Sequence, residues 1–464
     1  MSTKRPNKQL QLPFASTEMG EAHLMPEQGV ELLATLSGTQ SPVTSAALME
    51  VICSSRNMYE AFRKVIANKG AAGVDGMTIH DLEQHWKQHG AEVVSQLLSS
   101  AYRPAPVKRV EIEKPDGGVR KLGIPTVVDR LIQQAVLQVL QPLFEPTFSQ
   151  HSYGFRPGRS AHQAVKQAQV YITEGRSWVV DIDLEKFFDR VNHDMLMARL
   201  ARRVADKRVL HLIRAYLNAG VMEGGLVSMS TEGTPQGGPL SPLLSNIVLD
   251  DLDKELEQRG HAFVRYADDC NIYVKSETAG KRVMTSVSLF ISRKLKLKVN
   301  DSKSAVAKPG KRKFLGFTFS DKKATVLISD KAIERFRDRI RELTKRGRSA
   351  QQIIEDLNQY LRGWAGYFGI CGTYSTLRDL DSWIRRRLRS LAWRAWRTPY
   401  RRFRELLRRG INWLDAIKVV RHRVNPWRAS RTREVNKALP DRYWHDTLKL
   451  LSLLKMWHSM RTQS

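Results

Sequence analysis

Cysteine is scarce in this chain of 464 residues, with three thiols, Cys53, Cys270 and Cys371, that lie far apart in the sequence. Such scattered thiols predict neither a disulfide framework nor a zinc cluster, and they favour a reducing compartment. Long apolar runs are also missing, since none approaches the length of a membrane span and the start of the chain lacks the apolar core of a signal peptide. We therefore expect a soluble, cytoplasmic protein.

Acidic residues are outnumbered by basic ones, 47 against 76, which gives a formal net charge of +29. Residues 331–464 contain 32 lysines and arginines against 12 acids, so about +20 of the charge lies in this part. Eight of the ten tryptophans lie there too. The excess is larger than solubility requires and predicts a polyanionic partner, nucleic acid first and an anionic membrane second.

Hydrophobic residues make up 42% of the chain, enough for two or three domains. Residues 1–50 mix polar, glycine, proline and threonine residues with one short apolar stretch, which predicts a loosely ordered arm. Beyond them, helical patterns such as 127–140 mix with apolar or alternating strands such as 177–184 and 261–274. This mixture predicts an α+β fold rather than a doubly wound one. After about residue 325, arginine-rich helical patterns replace the strands.

Four aspartates interrupt two of these strands. Asp268 and Asp269 stand in FVRYADDCNIYV, where two antiparallel strands would meet at a tight turn with the acids at its tip. Asp181 and Asp183 alternate in VVDIDLEKFF and so share one side of their strand. An ordinary acidic turn would explain the first pair alone. Carboxylates on two strand ends, however, are what a phosphoryl-transfer site with two magnesium ions requires.

Two further motifs accompany the acids. The loop EGTPQGGPLSPLLSNI, at 232–247, leads into a helix for which Ser241 is predicted as the N-cap and Pro242 as the first helical residue. Its paired glycines would let a flat ligand approach the backbone, although a simple helix-start loop is the alternative. Residues 107–125 predict a β-hairpin turned at 115–118. Its basic side chains suit a triphosphate, unless they only form a solvated surface.

A resemblance to a known family rests on six segments taken in order: KPDGGVRKLGIPTVVDRLIQQA, SYGFRPGRSAHQAV, DIDLEKFFDRVNH, GTPQGGPLSPLLSNI, RYADDCNIYV and LKLKVNDSKSAVAKPGKRKFLGF. They resemble the successive blocks of bacterial group II intron-encoded reverse transcriptase/maturases, from about residue 55 to the end and most strongly to 318. The resemblance implies a right-hand polymerase, with fingers and an antiparallel palm sheet at 51–320. A helical thumb or maturase domain at 321–400 and a basic DNA-binding segment at 401–464 would follow.

The resemblance also implies roles for individual residues. Three carboxylates would bind two Mg²⁺ ions and carry the catalysis: Asp183, Asp268 and Asp269. Five residues would contact the incoming nucleotide: Lys108, Lys114, Arg120, Phe188 and Gln236. Among these, Phe188 would close the space of a ribonucleotide 2′-OH. Four arginines in the helical pattern WIRRRLR cover more than one face, and we expect them to contact nucleic-acid phosphates: Arg385, Arg386, Arg387 and Arg389.

The family implies an RNA-dependent DNA polymerase that binds its intron RNA to promote splicing and copies it into DNA by target-primed reverse transcription. Its partners would be the intron RNA, the target DNA and dNTPs, in the bacterial cytoplasm and on the nucleoid. An RNA-binding maturase without polymerase activity is the alternative. A related defence or retron enzyme fits less well, because of the chain length, the thumb that resembles a maturase domain, and KGAAGVDGMT, which resembles the extra N-terminal block of non-retroviral reverse transcriptases. Since no paired cysteines follow Cys371, we expect no HNH endonuclease.

Overall fold

The computed structural model describes residues 47–113, 119–223, 226–228, 233, 237–321, 323–345, 347–421 and 425–462. They form two compact units. The first unit contains the described residues up to 160 and those of 180–306, and the second contains 161–179 and those from 307 onward. This division differs from the predicted boundaries at 320/321 and 400/401, which stay predictions. The predicted N-terminal arm lies outside the described residues up to position 46.

Helices contribute more of the described residues of the first unit than strands do. They are α1 (Leu48–Cys53), α2 (Ser55–Ala67), α3 (Leu82–Leu98), α4 (Val127–Phe144), α6 (His193–Ala201), α7 (Lys207–Asn218), α8 (Ser241–Gln258) and α9 (Glu277–Lys294). The predicted helix at 127–140 is therefore confirmed as part of α4. Helix α8 begins one residue before the expected position, because Leu240 occupies the N-cap and Ser241 is already helical.

Two four-stranded sheets belong to this part of the chain. The strands are β1 (Val107–Glu113), β2 (Val119–Ile124), β3 (Trp178–Ile182), β4 (Val221–Glu223), β5 (Leu226–Ser228), β6 (Ala262–Tyr266), β7 (Asp269–Val274) and β8 (Ala305–Ala307). One sheet has the order β2-β1-β4-β5 and the other β6-β7-β3-β8. The antiparallel β1–β2 pair confirms the predicted hairpin, whose turn lies outside the described residues.

The second unit begins with α5 (Ala161–Thr173) and a small antiparallel pair, β9 (Phe317–Phe319) and β10 (Val326–Ile328). Its remaining helices are α10 (Asp330–Leu343), α11 (Ala350–Phe368), α12 (Ser375–Ala395), α13 (Pro399–Arg408), α14 (Trp413–Arg421), α15 (Pro426–Ala429), α16 (Arg433–Ala438) and α17 (Leu453–Thr462). The expectation that strands give way to helices after about residue 325 is confirmed. Together with the mixed first unit, this confirms the α+β class.

A continuous hydrophobic core joins helices α10 to α17 of the second unit. It extends from Ile328 to Trp457 and so passes through the predicted boundary at 400/401. The aromatic rings of Phe336 and Trp364 pack with their centroids 4.6 Å apart, and Trp364 of α11 is buried in this core. Among the described residues, no helix is long and apolar enough to cross a membrane.

Although α5 is distant in sequence from the other helices, it is attached to the second unit by specific bonds. The Gln169 side chain donates a hydrogen bond to the carbonyl of Ala324 at 3.0 Å. A ring nitrogen of His162 lies 2.7 Å from the carbonyl oxygen of Tyr367. The chain therefore leaves the first unit after residue 160, contributes one helix to the second, and returns with β3.

Candidate active site

The predicted acidic hairpin is present. Strands β6 and β7 pair in antiparallel register with Tyr266 opposite Asp269, so the turn consists of Ala267 and Asp268. Ala267 adopts a positive φ of 57°, a conformation that costs energy for a residue with a Cβ atom. Asp268 is half-buried at the turn and Asp269 is exposed at the start of β7. The turn therefore presents two successive carboxylates at one end of the sheet.

Strand β3, which carries the other two aspartates, lies next to β7 in the same sheet. Asp181 is only 8% exposed, whereas the side chain of Asp183 just beyond the strand keeps 31% of its surface exposed. Burial raises the pKa of the Cys270 thiol well above its usual range, and the charges of Asp253, Asp181 and Asp269 raise it further. The acids of β3 and β7 thus act on the same neighbour, and Cys270 stays protonated.

The segment that follows α9 is bound to the end of β3. The Asp183 amide donates to Ser304 Oγ at 3.0 Å, and the Asn300 amide donates to the Asp183 carbonyl at 2.8 Å. The Lys303 ammonium lies 3.6 Å from Asp183 Oδ2, and both side chains are partly exposed. Because water screens such a pair, it contributes little stability, but it gives the carboxylate a positive neighbour.

The donor set at this end of the sheet fits magnesium in its chemistry, because Mg²⁺ prefers carboxylate oxygens. The positions of these carboxylates do not form a complete metal site. Among the described residues, no three His, Cys, Asp or Glu side chains form a group that could hold a metal ion as they stand. The backbone places β3 beside the acidic turn. The side chains of the three predicted carboxylates, Asp183, Asp268 and Asp269, nevertheless do not form one metal-binding group.

A buried arginine, Arg265, is hydrogen-bonded to the backbone of the acidic turn. Arg265 and Asp253 are both fully buried, and the guanidinium donates to both oxygens of this carboxylate at 2.7 and 2.6 Å. Its Nη1 atom also donates to the carbonyl of Ala267 at 2.9 Å and to Asn246 Oδ1 at 3.0 Å. Burial opposes the charge of Arg265, but the attraction of Asp253 outweighs it and raises the pKa of the guanidinium. Arg265 is therefore a positioning residue for the turn.

The segment before α5 packs directly on the same turn. The Tyr153 amide donates to the Arg265 carbonyl at 2.9 Å, so this segment extends the sheet beside β6. A Cβ atom at Gly154 would lie 2.3 Å from the backbone nitrogen of Ala267, which is closer than non-bonded atoms can approach. Glycine at 154 thus allows the segment to touch the turn.

This contact gives a first prediction. We expect Gly154→Ala to displace the turn, because a methyl group there overlaps the backbone of Ala267. The displacement should lower the stability by about 1–3 kcal/mol and the activity of this site by about 100-fold. Gly366→Ala is a suitable control, since its Cβ atom would have no neighbour and alanine favours a helix. Equal activity of the two variants would contradict the positioning role.

Phe188 lies in a single helical turn, Phe187–Asp189, just after β3. Its ring packs edge-on against the buried Phe187 ring at 5.2 Å and remains partly exposed. The predicted loop reaches this turn, because a Cβ atom on Gly233 would lie 2.8 Å from the Phe188 carbonyl oxygen. At its other end, a Cβ atom on Gly237 would lie 2.5 Å from the carbonyl oxygen of Gly123 on β2. The loop is thus anchored to both the aromatic turn and the basic hairpin.

The structure describes only some of the predicted nucleotide-binding residues. Lys108 is exposed on β1. Lys114, Gln236 and the side chain of Arg120 lie outside the described residues. The nucleotide-binding assignment therefore stays a prediction, supported by the anchoring of the loop and the hairpin to each other.

The four arginines predicted to bind nucleic acid make contacts within the second unit. Arg385 and Arg389 pair with Asp441 at 2.9 and 2.7 Å. Arg386 lies over the Trp427 ring, and Arg387 donates to Thr344 Oγ1 at 2.7 Å. Burial lowers the pKa values of Arg386, Arg387 and Arg389 below the usual guanidinium range. Arg389 is buried and the other three are partly exposed, so their role in nucleic-acid binding stays a prediction.

Two comparisons of the sequence bear on this site. Residues 112–319 match the family model described as reverse transcriptase (RNA-dependent DNA polymerase). Residues 333–410 match the one described as group II intron, maturase-specific domain. The first match includes the acidic turn, β3 and the loop before α8, and it confirms the predicted right-hand polymerase class.

The chain matches only part of the length of each of two named relatives. The chain is 38% identical over 234 residues to protein YkfC of Escherichia coli K12, which covers 49% of this chain and 61% of that protein. It is 36% identical over 208 residues to the group II intron-encoded protein LtrA of Lactococcus lactis, which covers 45% of this chain and 34% of that protein. The chain thus spans less than two thirds of either relative.

Similar solved structures include a partial Cas6-RT-Cas1–Cas2 complex and apo telomerase from Candida tropicalis. The first is 27% identical with a TM-score of 0.35, over 53% of this chain and 42% of that one. The second is 13% identical with a TM-score of 0.41, over 80% and 74%.

Proposed function

Because the chain belongs to the family of group II intron-encoded reverse transcriptase/maturases, we propose that it is an RNA-dependent DNA polymerase. The observation that carries the proposal is the acidic β6–β7 turn beside the end of β3. In this proposal Asp183, Asp268 and Asp269 hold two Mg²⁺ ions. Those ions, when bound, activate the primer hydroxyl and steady the leaving phosphate.

The residues of the chain would then supply position and charge. Arg265 holds the Ala267 carbonyl and thereby sets the direction of the two carboxylates that follow. Asp183 is favoured over Asp181 as the third ligand, because its side chain is exposed where that of Asp181 is buried. Phe188 would form the wall against the sugar, and the basic hairpin would neutralise the triphosphate. Such positioning and neutralisation account for most of phosphoryl-transfer catalysis.

We further propose that the chain binds intron RNA, promotes its splicing and copies it at a DNA target. The basic second unit and the maturase-specific match at 333–410 support an RNA partner. An RNA-binding maturase with an idle polymerase site is the second candidate. It is favoured by the ungathered carboxylates and by the Lys303 ammonium beside Asp183.

Primer extension on an RNA template decides between the two. With dNTPs and magnesium, the full chain should extend a DNA primer, and a chelator should stop the reaction because the carboxylates need the ions to act. Excess magnesium should restore it. A purified, folded chain that binds the RNA template and extends no primer would overturn the polymerase proposal and leave the RNA-binding candidate.

A further inference from the structure

The second unit contains a cavity of about 800 Å³. It lies among the start of α11, the end of α12, helix α13 and the segment 439–448, all within this unit. Its size is within the range of pockets that bind small organic ligands. None of the residues assigned to the polymerase site lines it.

The charge of this cavity is entirely positive. Its cationic lining residues are Lys345, Arg348, Arg394, Arg397, Arg402 and Arg409, and no described Asp or Glu lines it. Arg348 pairs with Asp356, and Arg409 lies 3.6 Å from Glu405. In the described part of the chain the other four cations form no ion pair with a carboxylate. Since like charges repel, their convergence favours an anionic ligand.

Aromatic rings form another part of the wall. The Arg409 guanidinium carbon lies 5.6 Å from the Trp396 ring centre and 5.0 Å from that of Tyr443. Trp444 is buried, lines the cavity, and has an indole Nε1 with no hydrogen-bond acceptor among the described residues. Buried donors are almost always satisfied in native proteins. A ligand oxygen in the cavity would supply the missing acceptor.

We propose that this cavity binds an unpaired nucleotide of single-stranded RNA, a proposal that rests on the RNA partner in the proposed function. Arginines bind phosphate oxygens with two parallel hydrogen bonds, and aromatic rings stack on bases. The cavity volume of about 800 Å³ has room for an extruded nucleotide. The ligand is therefore recognised by its phosphate and its free base.

A binding titration with matched variants tests the proposal. The probe is a fluorescein-labelled single-stranded RNA of roughly 15 nucleotides. Arg394→Gln with Arg397→Gln removes two cavity charges that are exposed and have no ion-pair partner. The control, Arg401→Gln with Arg404→Gln, removes two exposed charges from neighbouring positions that do not line the cavity.

We expect the cavity variant to bind the probe about 10-fold more weakly than the wild type, and the control to differ from it by less than about threefold. The variant should also lose two phosphate contacts. The slope of log K against log salt concentration should therefore become less steep by about 1.4. With 4-thiouridine in the probe, the photocrosslinked peptide should contain Trp396 or Tyr443. Equal losses in the two variants, or crosslinks confined to other segments, would overturn the proposal.

Two further measurements identify the ligand and separate the cavity proposal from the polymerase proposal. A single-stranded DNA of the same sequence that binds as tightly as the RNA would overturn the assignment to RNA. Primer extension with the same preparations separates the two proposals. If the wild type extends primers and the two double variants bind the RNA probe equally well, only the cavity proposal is overturned. Cavity-dependent RNA binding without extension overturns the polymerase alone.

Discussion

Asp268→Asn combined with Asp269→Asn should abolish DNA synthesis and leave RNA binding nearly unchanged. The two amides keep the size of the turn but lose the charge that magnesium requires, so the rate should fall by about a thousandfold, equivalent to about 4 kcal/mol. The affinity for RNA should stay within about twofold, because the basic surface of the second unit is untouched. Primer extension and an RNA titration on the same preparation measure the two quantities.

The control for this variant removes the same amount of charge elsewhere. Glu92→Gln combined with Glu277→Gln changes two exposed acids of the first unit that lie outside the acidic turn. Extension by this control should remain close to that of the wild type. If the double variant at the turn lost RNA affinity as severely as synthesis, the separation between binding and chemistry would be wrong.

Arg265→Met should be the most destabilising single change in the first unit. It leaves the fully buried Asp253 carboxylate without its partner, which costs about 3–5 kcal/mol. The calorimetric unfolding temperature measures the loss, since a chain with two compact units need not unfold in one step. Arg259→Met is a control, because that partly exposed arginine pairs with Glu255 within one helix and should cost at most about 0.5 kcal/mol.

A second variant separates stability from positioning. Arg265→Met combined with Asp253→Leu removes both charges, and the apolar replacement should recover much of the lost stability. DNA synthesis should nevertheless stay low, because the hydrogen bond to the Ala267 carbonyl is still absent. Full recovery of synthesis together with stability would show that Arg265 serves only the core and does not orient the turn.

The sequence was sufficient for the elements whose pattern is local. The β6–β7 hairpin, the β1–β2 hairpin and α4 each follow from the spacing of apolar and turn residues.

Contacts between distant segments could not be predicted in the same way. Nothing in the local pattern of Gly154 shows that it touches Ala267, more than a hundred positions away. Arg265 lies on a strand whose other residues are apolar, and that unexpected charge was the available signal of a buried pair. The contacts of the α12 arginines within their own unit were equally out of reach, because helical periodicity cannot reveal that Asp441 pairs with Arg385 or that Thr344 accepts from Arg387.

The excursion of the chain through α5 decides how this protein can be divided. A fragment that starts at residue 307 would contain the later helices but lack α5, leaving the carbonyls of Ala324 and Tyr367 without their partners. A fragment ending at 306 would carry α5 without Ala324 and Tyr367, the two residues whose carbonyls it contacts. The two units are therefore interlaced in sequence, and limited proteolysis at a single site should not release either one as a complete folded piece.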